Sequence, residues 1–593
     1  MNTKANVKRR EVMKNKVTLT CLNPYGEKSK SPKAMGLFAP RVKDLKGKRI
    51  ALVWCEKLGG ENYFDDLQKL LEKKLPDTKL LRMNWVDGIE KRLLEETDTF
   101  VYGVGDSGIG AWESTSRTIS IEKMGKPGIV VYASHLVPNA KASAEAQGMP
   151  TLRMVTLPTI EYYPNRVSSE RLQSVAEKTV DQIIDFLTRP LTSEEMNPVD
   201  KPREKKFKLV EITALNYEDA YEKFNQLYLD NHWGDGLPLV PPTPEAVKLM
   251  LSGTKRSSDE ILGAFASPDG LSETGVATIE KIAINAVMAG AKPEYFPVII
   301  AAIESLVDKK FSPHAFTSEG SFTFLIIVSG PIGKKIKMHS GTGLLGHGFR
   351  ANNTIGRAVR LCLSNIGYLW PGEHDLALIG RPSSHTFYVL AENEDLSPWL
   401  PSHVTLGYKP EDSCVTVATV MGQRIYGGGT VLPCSEDEVL NEIIKDVAND
   451  RRIFQFDPRK GNRAHPLQHI IILHPEIANA MKARGFTCQS FRDYIIETTS
   501  VPYEKLSENE IEGIKYRIAD KSNIFFGSGL IPAERLPIFE RALQPGGKVP
   551  VVISLEDIFI AVSGEIPGYT FGYSYLRGAL LTKLIRSNKE KRH

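Results

Sequence analysis

Phe100-Val-Tyr-Gly-Val-Gly-Asp-Ser-Gly-Ile-Gly110 carries an apolar run into a glycine-rich loop, and Ala111-Trp-Glu-Ser114 continues from it as helix. A short apolar run bounded by glycines reads as a buried strand, and the loop after it opens a helix. The same alternation extends in both directions. Upstream, Lys48–Trp54 is a strand, Gly59-Gly60 turns the chain, and a helix over 61–74 sets Phe64, Leu67, Leu70 and Leu71 on one stripe before a second strand at Lys79–Met83. Downstream, Gly128–Tyr132 and Leu152–Leu157 are the fourth and fifth strands, and helical stretches fall near 86–96, 111–124, 138–147 and 168–187. Alternation of this kind predicts an α/β domain with a flavodoxin-like parallel sheet covered on both faces. Such sheets bind ligands at the carboxyl ends of their strands, near a switch point.

The loop contains GxGxxG at Gly103, Gly105 and Gly108, but the strand before it is not the first of its unit, which argues against a dinucleotide site. Asp106 and Ser107 are candidates to bind a substrate; the other reading makes Ser107 a helix cap.

Four phrases in order carry a family resemblance: Leu22-Asn-Pro-Tyr25, Asp106-Ser-Gly-Ile-Gly110, Ile121-Glu-Lys-Met-Gly-Lys-Pro127 and Gly148-Met-Pro150. In these the stretch from about 20 to 190 resembles the UGSC-type domain, a small α/β domain named for a motif containing selenocysteine or cysteine. The resemblance places a redox-active Sec or Cys where this chain has Ser107, and a second Cys where it has Gly110. A hydroxyl cannot do thiolate chemistry at neutral pH. The resemblance therefore implies a domain that keeps the pocket and has lost the thiol redox step; Cys21 and Cys55 lie elsewhere in the pattern.

The chain has 593 residues, enough for more than one domain, with 41% hydrophobic and 25% charged residues and a net charge of +4. That balance makes no case for nucleic acid or a membrane surface as partner. No apolar run reaches the ~18 residues of a membrane span, and no secretory signal is present, so the cytoplasm is the expected location. Cys21, Cys55, Cys362, Cys414, Cys434 and Cys488 lie far apart, without CxxC, and read as buried hydrophobes. The expected organisation is a polar N-terminal tail over 1–40, the UGSC-like α/β domain over 41–190, a linker over 191–209, and a larger α+β domain over 210–593 that folds by itself.

In that second domain Gly341-Thr-Gly-Leu-Leu-Gly-His-Gly-Phe-Arg350 leads into a helix with Ile355, Val359, Cys362, Leu363 and Ile366 on its apolar stripe. Asn352 or Asn353 is expected to cap it, and Asn353, Arg357 and Arg360 share the opposite face. A glycine loop at a helix N-terminus suits an anion, and arginines add planar donors. Gly346, Arg350, Asn353, Arg357 and Arg360 are accordingly candidate substrate-binding residues, unless the stretch is only a tight turn before a core helix. Asp235 in Trp233-Gly-Asp-Gly-Leu-Pro238, Glu392 and His403 are candidate catalytic residues. Asn352, Glu392, Glu394 and His403 form either a polar cluster or a metal site. His347, His374, His385 and His403 lack regular ligand spacing, so no metal is assigned and the cofactor stays unknown. Trp233–Pro238, Asn285-Ala-Val-Met-Ala-Gly290 and Asn353-Thr-Ile-Gly-Arg357 also resemble a C-terminal extension of some UGSC-type bacterial proteins.

Three functions follow from this reading. The first is an enzyme acting on a small polar or anionic substrate. The second is a thiol- or selenol-type reductase subunit, against which Ser107 counts. The third is a non-catalytic binding or scaffold protein. Self-association is left open.

Overall fold

The computed structural model describes residues 16–586 except 29–32, 38, 56–58, 85–88, 166–168, 200–208, 267–272, 312–319, 372–374, 376, 378, 382, 384, 428–434, 456–466, 520–530 and 567. The first elements among the described residues are β1 (Val17–Leu22) and the short β2 (Glu27–Lys28). Then β3 (Arg49–Trp54), β4 (Lys79–Asn84), β5 (Thr99–Gly105), β6 (Gly128–Ala133) and β7 (Met154–Leu157) form a parallel sheet in the order β4-β3-β5-β6-β7. Each lies within two residues of its expected bounds. β5 and β6 are buried at every position, which is why they read as unbroken apolar runs. Helices α1 (Gly60–Lys74), α2 (Gly108–Lys123), α3 (Val137–Ala146), α4 (Thr159–Asn165) and α5 (Ser169–Thr188) accompany them. Chain order reverses between β3 and β5, the switch point of a flavodoxin-like sheet.

Of the stretch expected to be a tail, residues 16–28 are built into the fold. β1 pairs antiparallel with β8 (Leu209–Ala214), Val17 opposite Ala214 and Leu22 opposite Leu209. β2 pairs with β10 (Glu273–Thr278), which also pairs with β9 (Ile261–Ala266). Leu19, Cys21 and Leu22 are buried in the core of the second half, not of the first. Alternation over only six residues, behind a basic N-terminus, hides this strand from a sequence reading. Nor is 191–197 a free linker: Thr192 caps the short helix Ser193–Met196, whose Glu195 carbonyl accepts from Leu37 N at 2.8 Å.

The second half continues through α6 (Tyr217–Asp230), α7 (Ile279–Met288), α8 (Phe296–Leu306), β11 (Thr323–Ser329), α9 (Arg350–Asn365), β12 (Tyr388–Ala391) and β13 (Cys414–Tyr426). It ends with α10 (Glu436–Ala448), β14 (Leu467–Leu473), α11 (Pro475–Ala483), α12 (Cys488–Thr499), the small pair β15 (Val501–Pro502) and β16 (Lys548–Val549), β17 (Ile558–Val562) and β18 (Thr570–Leu584). Six strands form one sheet, β12-β11-β13-β18-β14-β17. β11 runs parallel to β12 and antiparallel to β13; β14 runs parallel to β17 and antiparallel to β18. The two triplets repeat one arrangement about the antiparallel β13–β18 contact, although no repeat is evident in the sequence.

The outer strands meet at their carboxyl ends. Asn393 N donates to Val562 O at 2.9 Å and Ser563 Oγ donates to Ala391 O at 2.6 Å, so the sheet curls until its edges touch. Leu325, Ile327, Leu390, Ile472, Phe559 and Tyr573 share one buried cluster on its inner face. The intervening Phe324 and Ile326 pack with α7, α8 and α9, whereas Ile471 and Ile560 pack with α10, α11 and α12. Among the described residues no helix is long and apolar enough to cross a membrane.

Candidate functional site

β5 delivers Asp106 and Ser107 to the switch point. Ser107 is the N-cap of α2, its Oγ accepting from Gly110 N at 3.2 Å. Cys55 follows β3 across the same point, buried, with Sγ donating to Val104 O at 2.9 Å. Asp106 is buried too: Oδ2 accepts from Tyr162 OH at 3.2 Å, and its carbonyl accepts from Tyr163 OH at 2.5 Å. Burial, reinforced by the Asp106 carboxylate, pushes the Tyr162 phenol far above its ordinary range and leaves it a donor. Tyr163 OH stands 3.5 Å from His135 Nε2, and His135 Nδ1 stands 3.0 Å from Thr159 Oγ1. His135 follows β6, while Thr159 and Tyr163 follow β7 on α4. One hydrogen-bonded chain thus links three neighbouring strand ends and passes through an exposed imidazole. Trp112 Nε1 on α2 and both amide atoms of Asn139 on α3, helices that start at this edge, are buried without hydrogen-bond partners. The sequence reading named Asp106 and Ser107 and missed His135, Thr159 and Tyr163. Their signal was position, each falling just after a strand of a parallel sheet.

The glycine loop and its helix are where they were expected, but Arg350 and Arg357 are engaged within the chain, whereas Arg360 Nε and Nη2 are buried without a hydrogen-bond partner. α9 starts at Arg350 with Phe349 at the N-cap, and neither Asn352 nor Asn353 caps it. Asn352 is buried, its amide bonded to His339 and to Val389 O; Asn353 sits half-buried in the first turn. Gly346 is exposed and turns its N–H back to Gly343 O at 2.6 Å. Thr342 N and Oγ1 each lie 3.4 Å from Glu565 Oε2, so a carboxylate of the chain already faces the loop. Arg350 donates Nε and Nη2 to Gly290 O. Arg357 grips Asp235 with both arms, at 2.8 and 2.9 Å. Arg360 lies 4.0 Å over the Phe387 ring, and burial lowers its pKa to about 10. Asp235 and Arg357, read separately as catalytic and binding residues, are one ion pair that ties the Trp233–Pro238 turn to α9. No hydrogen bond or ion pair joins these residues to Glu392 or His403.

The same region holds the segment that follows β1. Asn365 Nδ2 donates to Asn285 Oδ1 at 2.7 Å and to Trp233 O at 3.0 Å; Asn285 Nδ2 donates to Pro24 O at 3.2 Å, and Lys281 Nζ to Asn23 O at 2.6 Å. The phrases around Trp233, Asn285 and Arg357 therefore converge on Leu22–Tyr25.

Glu392 and His403 do come together, with Glu394, where β12 meets β17. One ligand-type atom from each lies within 4.8 Å of the others, the only such group among the described residues. Ser402 N donates to Glu392 Oε2 at 3.0 Å, and Gly330 N to Glu394 Oε1 at 2.5 Å. Burial, helped by the neighbouring Glu394 and opposed by the Ser402 N–H, pushes the Glu392 carboxyl up to about 8. His403 is fully buried, and neither ring nitrogen has a partner. Of the other histidines, His347 and His385 are exposed elsewhere and His374 lies outside the described residues.

A model of the UGSC family matches residues 20–189. Comparison with curated proteins and with solved structures finds no match to the chain. The matched stretch runs from the Leu22–Tyr25 segment to the end of α5 and contains the whole parallel sheet; residues 20–189 are a UGSC family domain.

Proposed function

We propose that the chain is an enzyme acting on a small polar substrate, held at the carboxyl edge of the UGSC domain's sheet and handled by imidazole and hydroxyl groups instead of a thiolate. The observation that carries this reading is the chain from Asp106 through Tyr163 and His135 to Thr159, which spans three strand ends beside the switch point. Imidazole is the commonest proton carrier at such sites, and His135 is its exposed member here. The thiol alternative is weakened on two counts: Ser107 caps a helix, and the nearby Cys55 thiol is buried against a carbonyl. The substrate moves to this edge from the glycine loop because Arg350 and Arg357 have partners inside the chain and Arg360 is buried over the Phe387 ring.

The test is a ligand-observed NMR screen of the full chain against small hydroxy, keto and amino acids, repeated with His135→Asn and Tyr163→Phe. Both substitutions sit at the edge of the sheet and leave its core untouched. Ligands that bind and turn over with the native chain should lose binding or turnover at least tenfold in both variants and be unaffected by Cys55→Ser. Hits indifferent to His135 and Tyr163 would move the site elsewhere, and loss of turnover in Cys55→Ser would restore the thiol reading.

A further inference from the structure

We infer that Glu392, Glu394 and His403 form a binding site for one divalent first-row transition ion at the seam where the closed sheet of the C-terminal half joins. This goes beyond the proposed function, which concerns the other half of the chain.

The strongest sign is His403. An imidazole must present at least one N–H, and a buried polar group without a partner costs roughly 1–3 kcal/mol. His403 has no exposed surface and neither nitrogen is bonded, yet two carboxylates stand within 4.8 Å of it. A cation answers most of this: it takes the imidazole lone pair, leaving only the N–H of the other ring nitrogen, and cancels the repulsion between the carboxylates. The carboxylates are also held as metal ligands usually are, by hydrogen bonds from the surrounding backbone. Glu394 keeps one oxygen on Gly330 N, and Glu392 accepts from Ser402 N, the residue before His403. Glu392 N itself extends the β11 pairing by donating to Val328 O at 3.0 Å, so its backbone is fixed by the sheet.

Size agrees with charge. The cavity beside the two carboxylates has a volume of ≈ 10 Å³ and is walled by Glu392, Glu394, Trp399, Pro401, Cys488 and Val562, with His403 outside its lining. That is room for about one water-sized species and excludes an organic ligand. Three ligand atoms spread evenly at about 2.2 Å around a common ion stand roughly 3.8 Å apart, so the 4.8 Å limit requires a contraction of no more than about 1 Å. Two carboxylate oxygens and one imidazole nitrogen suit manganese, cobalt or zinc better than calcium or magnesium, which prefer all-oxygen shells.

The experiment uses the full chain, stripped with a chelator and dialysed against Mn²⁺, Co²⁺ or Zn²⁺ separately, with bound metal and unfolding temperature both measured. At least one ion should bind at one per chain and raise the unfolding temperature. His403→Leu should abolish the rise while leaving the metal-free protein as stable as the native chain or more so, because it removes an unpartnered buried polar group. Glu394→Gln, at a half-exposed position, should weaken binding at least tenfold with the fold retained, and it decides the matter if His403→Leu does not fold. His347→Asn, on the exposed loop, should bind as the native chain does. No stoichiometric uptake of any of the three ions overturns the inference, as does uptake unchanged in Glu394→Gln or equally lost in His347→Asn.

Discussion

Arg153 shows how much of this molecule hangs on single side chains. It is buried, and all five of its N–H donors are used: Nε and one Nη2 hydrogen on Glu195, at 2.8 and 2.9 Å, the rest on the carbonyls of Phe186, Arg189 and Pro190. It thereby closes the C-terminal end of α5 and fixes the capped turn after it. The Arg153 hydrogen bonds, chiefly, hold the Glu195 carboxyl down from 4.5 to about 2. A carboxyl depressed on folding stabilises fully above its unfolded value and loses that contribution as pH falls through the folded value. Glu195→Gln should therefore cost about 1–3 kcal/mol at neutral pH, the worth of a charged hydrogen bond. Urea-unfolding midpoints of native chain and variant should converge as pH falls from 4.5 towards 2; a gap constant across that window would mean that Glu195 does not titrate with folding.

Among the elements, α9 carries the clearest packing test. A Cβ on Gly356 would stand 1.6 Å from Thr386 O, a backbone atom that cannot swing aside. Alanine is favoured over glycine in a helix by about 1 kcal/mol, whereas overpacking against backbone costs typically 1–3 kcal/mol or more. The clash should win, and Gly356→Ala should lower the unfolding temperature; a more stable variant would show that this close approach is not needed. The helix shows what a sequence can and cannot disclose. Its existence and apolar stripe were legible, because periodicity reports burial directly. The fate of Arg357 was not, because Asp235 lies 122 residues away and only the fold brings it there. The parallel sheet was readable strand by strand for the same local reason. The closed six-stranded sheet was not, since its order alternates between distant segments, and His403 entered as a candidate without the carboxylates' geometry that gives it meaning.

At the scale of the whole molecule, the match to the UGSC family begins inside the strand that the other half needs. Cys21 has no exposed surface, Leu22 N donates to Pro242 O at 2.9 Å, Tyr228 OH donates to Leu22 O at 2.8 Å and Gly26 N to Asn365 O at 2.9 Å. These contacts join residues more than two hundred positions apart, so the N-terminal segment is part of the C-terminal core and the two halves are not separable at the expected linker. Without residues 16–28, the strand β8 loses its only partner among the described residues, Asn285 loses the Pro24 carbonyl and Lys281 the Asn23 carbonyl. A fragment of 210–593, expected from sequence to fold alone, should consequently be insoluble or loosely packed, with lost near-ultraviolet circular dichroism. Adding a peptide of residues 16–28 should restore the spectrum in a saturable way, as strand complementation of an exposed edge does. A scrambled peptide should not. If the bare fragment instead unfolds cooperatively at the temperature of the full chain, the strand is only an ornament on that core, and the resemblance of Leu22–Tyr25 to the family has to be explained by something other than its grip on α7 and α9.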